Sequence, residues 1–327
     1  MRSFLLLSLL VASAPAVAAR AGDLDPARAV RLAEAERAIG AGRYDEAQTI
    51  LDELAQGLEV EEPVLAARLD LALRRAGLSE PTAAAAAVPP DVTSAAAALE
   101  RHGELGHRSC ILLADEALAG GRPDAAAEWL ARAIAAMPDD DHARLRLALL
   151  QMERGKAGEA AALALELLPR QPHCPGILQL AGQGLLAEGR TAQAIPLLER
   201  LVAEKPDAAE ARSLLGTALL VERRMPEAVE QLRRAAELDP TPVRRSNLAL
   251  ALTYAGAADE AVEILERLTV DRPDDGGAWV NYGIALIGLG RLDDARAAFR
   301  KALAIDPDDE RARTNLSDLE AMQRGPR

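Results

Sequence analysis

Apolar side chains recur along this chain at helical spacing. Between Gly276 and Pro307, Trp279, Tyr282, Gly283 and Leu286 fall at i, i+3, i+4 and i+7, one face of a helix that ends at Gly290. A second helix carries Ala295, Phe299 and Ala302 on its inner face and stops before Pro307, whose ring and missing N–H cannot continue it. Back to His107 the pattern returns every 34 residues, once after 33, and one further unit recurs near 28–61. Equivalents of Ala295 are Ala47, Ala126, Ala160, Ala194, Ala228 and Ala261; those of Gly283 are Ala35, Ala114, Ala148, Gly182, Gly216 and Ala249. A small residue at both places lets two helix axes approach closely. Helix-ending prolines fall at Pro138, Pro172, Pro206, Pro240, Pro273 and Pro307.

The turns follow the same interval. Gly42, Gly121, Gly155, Gly189, Gly256 and Gly290 stand just past the first helix of each pair, where a left-handed backbone costs least for glycine, and Arg223 breaks the series. Asp45, Asp124, Asp259 and Asp293 are expected to start second helices, accepting hydrogen bonds from unpaired amides and complementing the helix dipole. Alternating Val/Ile/Thr runs that would build a sheet are absent, and the long Ala, Leu, Glu and Arg runs argue for an all-α protein.

The spacing W-x2-Y-G-x2-L followed by A-x3-F-x2-A-x4-P resembles the tetratricopeptide repeat, a helix–turn–helix unit of 34 residues. The resemblance implies an all-α, right-handed superhelical solenoid of antiparallel helix pairs, stabilised by neighbour stacking and capped at its ends. Six consecutive repeats are expected over 107–309, closed by a capping helix and tail at 310–327 in which Leu316 and Leu319 cover the last repeat while Arg311, Arg313, Asp318 and Glu320 face water. Repeat-like helices are expected over 20–79. The register then fades into an Ala/Pro-rich connector and one more helix over 80–106, a degenerate repeat with an inserted loop or a hinge between two arrays.

Residues 1–19 read as a signal peptide: Arg2, a short apolar run from Phe4 to Val11, and small residues at Ala16, Val17, Ala18 and Ala19 for cleavage. The expectation is export, to the periplasm or beyond, and no later run is long enough to span a membrane.

Of the 327 residues, half are apolar but only 2% aromatic, which suits stacked Leu/Ala helices better than an enzyme core. A net charge of −13 repels phosphate backbones and argues against nucleic acid as a partner.

Candidate chemistry is sparse. Cys110 and Cys174 lie nearly two repeats apart and are not expected to pair. His102, His107, His142 and His173 form no metal-ligand spacing that one repeat could hold, no cofactor motif is present, and no nucleophile–base set can be assembled, so no catalytic or metal residues are expected. Asp139 to Asp141, Asp274-Asp275 and Asp308-Asp309 read as helix-start residues.

Members of the family hold segments of other proteins on a concave surface lined by first helices, which implies a protein or peptide partner. Carried onto this chain, the groove candidates are Gln179, Gln183, Ser213, Thr217, Ser246, Asn247, Asn281 and Asn315. Asn247, Asn281 and Asn315 recur at 34 residues, and an amide offers the main chain of a bound strand both donor and acceptor, although Asn at this place is also framework in the family. The basic clamp for a free carboxyl terminus is not reproduced, since Val280, Ile284, Leu250 and Gly277 occupy neighbouring places. The reading is an interaction scaffold of the cell envelope, alternatively a holdase for unfolded exported chains. Oligomeric state is not legible.

Overall fold

The computed structural model describes residues 24–56, 60–78, 89–102 and 105–324. The expected signal peptide at 1–19 and most of the connector lie outside them. The described residues form seventeen α-helices and no strand. They fall into two units, residues 1–170 and 171–327.

In the first unit, α1 (Pro26–Gly40) pairs with α2 (Tyr44–Leu54), α3 (Glu62–Arg75) with α4 (Pro90–Glu100), α5 (His107–Ala119) with α6 (Pro123–Ala136), and α7 (Asp141–Glu153) with α8 (Ala157–Leu167). In the second, α9 (Pro175–Ala187) pairs with α10 (Thr191–Glu204), α11 (Ala209–Val221) with α12 (Met225–Leu238), α13 (Pro242–Tyr254) with α14 (Ala258–Asp271), and α15 (Gly276–Gly288) with α16 (Leu292–Ile305), with α17 (Glu310–Arg324) packed on α16. The helix over 89–102 begins at Pro90 itself, because proline is tolerated at a first helical position where its N–H would go unused.

Small residues set the spacing within each pair. A Cβ built on Gly182 would lie 2.6 Å from Leu198 Cδ2, and one on Gly216 would lie 2.5 Å from Leu232 Cγ. The equivalent alanines Ala35, Ala114, Ala148 and Ala249 are fully buried, as are Ala47, Ala126, Ala160, Ala194, Ala228, Ala261 and Ala295 opposite them. Between pairs, leucines fill the gap: Leu232, Leu248, Leu252, Leu265, Leu268 and Leu286 join one core that continues to Phe299 and ends at Ala312 and Leu319 of α17. Leu316 packs on that core and Leu319 is buried in it, as the cap requires.

The expected turn glycines all take positive φ, and Gly77 after α3 joins them. Gly77 restores the register that the sequence loses: counting back from it, Asp70 occupies the place that is Ala or Gly in the other seven pairs. The carboxylate there is held by two arginines. Asp70 is 7% exposed and takes hydrogen bonds from Arg74 Nε at 2.7 Å and Arg108 Nη2 at 3.2 Å.

The expected capping role of Asp45, Asp124, Asp259 and Asp293 is corrected. Each sits inside the first turn of its helix, two residues past the N-cap, and the N-cap residues Arg43, Arg122, Ala257 and Arg291 make no side-chain cap. These carboxylates still face the positive helix end, and three of them pair with Arg75, Arg154 and Arg296. The inter-repeat acids do cap. Asp140 accepts from the His142 amide at 2.9 Å, Asp275 from Ala278 at 3.1 Å, and Asp309 from Ala312 at 2.9 Å.

Candidate functional site

Each unit lines up its first helices, and the two walls differ in chemistry. In the second unit α9 touches α11, α11 touches α13, α13 touches α15, and α15 touches α17, which gives a continuous surface of first helices. The sequence-predicted groove residues all stand on these five helices. Gln179, Gln183, Ser213, Ser246, Asn247 and Asn315 are half-buried and Thr217 is exposed.

Their hydrogen bonding separates them. Asn281 is 7% exposed; its amide nitrogen donates to Ser246 Oγ at 2.8 Å and its oxygen accepts from Arg311 Nη2 at 2.9 Å. One side chain therefore ties α13, α15 and α17 together, and both ends of its amide are in use. Arg311, expected to face water, is spent on this contact while remaining exposed. Asn315 donates to the Arg311 carbonyl of its own helix at 2.7 Å, and Thr217 to the Ser213 carbonyl at 2.8 Å. Gln179, Gln183 and Asn247 have no side-chain hydrogen bond among the described residues, so they are the amides on this wall with donors and acceptors to offer.

The first unit's wall is charged and closed on itself. Arg108 of α5 bridges Glu36 of α1 and Asp70 of α3, and Arg146 of α7 pairs with Asp115 of α5. Glu62 accepts from the Gly106 amide at 3.1 Å and from Ser109 Oγ. Burial pushes the Asp115 carboxyl up, with Asp70 adding to the effect, against the opposing pull of Arg146. Sequence reasoning missed this network because its partners lie far apart in the chain; Arg108 and Glu36 are 72 residues apart. A signal was present: Glu36 and Asp115 follow the small residue of their repeats, the place that holds Gln183 and Thr217 in the second unit.

His107 and His173 make contacts within their own unit. His107 Nε2 meets Asp140 Oδ2 at 2.8 Å and its Nδ1 meets the Ala133 carbonyl at 3.0 Å. His173 pairs with Glu204, and both cysteines are free thiols. Among the described residues no group of His, Cys, Asp and Glu is placed to hold a metal ion, and no helix is long and apolar enough to cross a membrane.

Stacked antiparallel helix pairs with left-handed turns and small-residue contacts define a helical-repeat protein. Tetratricopeptide repeat family models match residues 117–183, 180–241 and 252–319, so the chain belongs to the tetratricopeptide repeat family. It is 33% identical over 85 residues to the small glutamine-rich tetratricopeptide repeat-containing protein 2 of Mycosarcoma maydis, a segment that is 26% of this chain and 24% of that one; the chain thus spans about a quarter of the length of that curated relative. Among solved structures it is similar to a tetratricopeptide repeat protein from Parabacteroides merdae (20% identity, TM-score 0.54, 66% of this chain and 93% of that one). It is also similar to YrrB, described as a TPR protein with an unusual peptide-binding site (22% identity, TM-score 0.49, 60% of this chain and 99% of that one). Repeats of this family serve as protein–protein interaction scaffolds and are generally non-catalytic.

Proposed function

We propose that this protein is a non-catalytic scaffold of the cell envelope that holds an extended segment of a partner polypeptide along the first helices of its second unit. The observation that carries the reading is the set of unpartnered amides Gln179, Gln183 and Asn247 on a wall of touching helices. Main-chain N–H and C=O groups of an extended segment are the natural complement of such amides. The first unit supports the choice of wall by contrast, since its charged groups are already satisfied by one another. Export to the envelope rests on the pattern of residues 1–19.

The test is affinity capture with the full chain from an envelope fraction, followed by calorimetry with the purified partner. One stoichiometric partner, bound about tenfold more weakly after Gln183→Ala with Asn247→Ala, supports the scaffold. A broad mixture of unfolded chains bound weakly supports the holdase instead.

A further inference from the structure

The residue closing each of the seven short turns within a pair has positive φ, as has Gly77, which follows α3. Seven are glycines with φ from 67° to 84°; the eighth is Arg223 at 59°. A side chain is penalised in this region because its Cβ crowds the neighbouring carbonyl oxygen, and seven glycines show that the fold needs none there. Arg223 is exposed and forms no ion pair among the described residues, not even with the adjacent Glu222, in a chain whose net charge is −13. Beside the charged Glu222 and Arg224, uncovered apolar side chains stand at the same ends of the first helices. Val221, the last residue of α11, is 64% exposed, and Tyr254, at the same place of α13, is 55% exposed. The two helices touch, so an open guanidinium and two uncovered apolar side chains lie at the C-terminal ends of neighbouring first helices.

We infer that Arg223, Val221 and Tyr254 form a docking patch for a partner segment that presents an aliphatic or aromatic side chain beside a carboxylate. The guanidinium offers two parallel N–H donors to a carboxylate, and covering the apolar pair is favourable in proportion to the area removed from water. This rests on the second unit being the binding wall and adds the chemistry of what binds at its end. Retention of a strained arginine where glycine would relieve the turn is explained by that contact.

The test is selection of a random peptide library displayed on phage against the full chain. Enriched peptides are expected to carry Asp or Glu within a few residues of a large apolar side chain. A synthetic enriched peptide should bind Arg223→Gly about tenfold more weakly by fluorescence anisotropy, while the denaturation midpoint of that variant rises. Enrichment without acidic residues, or equal affinity for Arg223→Gly, overturns the patch. It leaves the wall standing if the same peptides weaken on Gln183→Ala with Asn247→Ala. No enrichment at all overturns the patch and counts against the wall, and self-association abolished by Val221→Glu assigns the patch to a second copy of the chain and overturns it too.

Discussion

Gly283 and Phe299 meet without room for a methyl group: a Cβ on Gly283 would lie 2.5 Å from Phe299 Cε1 and 2.8 Å from Cζ. The ring is fully buried and cannot swing away. Gly283→Ala should therefore lower stability by about 1–3 kcal/mol, read as a reduced urea midpoint. An unchanged midpoint would mean that the pair of helices is not held this close.

The turns predict opposite signs at two places. Gly189 has φ 72°, so Gly189→Ala should destabilise by about 1 kcal/mol. Arg223→Gly should stabilise by a similar amount, because the side chain is removed from a conformation that penalises it. Chemical denaturation of both variants checks the pair of signs together.

Asn281 predicts an energetic coupling between repeats. Asn281→Ala leaves Ser246 and Arg311 without their partner and should cost about 1–2 kcal/mol. In a double-mutant cycle with Ser246→Ala the losses should fall short of additive. Additive losses would show that the bond contributes nothing.

Asp115 predicts a pH dependence. Burial raises its pKa in the folded state, so the folded chain binds more protons there than the unfolded chain does. Its contribution is fully present below the unfolded value and is lost as pH rises through the raised one. Relative to wild type, Asp115→Asn should gain stability as pH rises from about 4 toward 7. A pH-independent difference between the two would contradict the assignment.

How far the sequence reaches depends on what repeats. The small residues at Gly182, Gly216 and Gly283 and the turn glycines were legible because each recurs at one interval and answers one local need, a close helix contact or a left-handed turn. Asp70 was not: it breaks the interval, and only Gly77 in the structure shows which place it fills. The site divides likewise. All eight groove candidates sit on the first helices of the second unit, but nothing in the 34-residue spacing of the asparagines tells that Asn281 is consumed by Ser246 and Arg311 while Asn247 has no such bond. These hydrogen bonds across repeats join residues 35 and 30 positions apart, and periodicity carries no record of them. The Asp residues at the starts of second helices show the smaller error, a cap placed where only the dipole is served.

Site-specific photo-crosslinking in cells tests the central claim most directly. A photoreactive residue placed at Gln183 or at Asn247, on the wall of first helices, is compared with one at Glu230 on the exposed side of α12. The account predicts one crosslinked polypeptide from both wall positions and none from Glu230. Equal crosslinking from Glu230, or none from the wall, would contradict it.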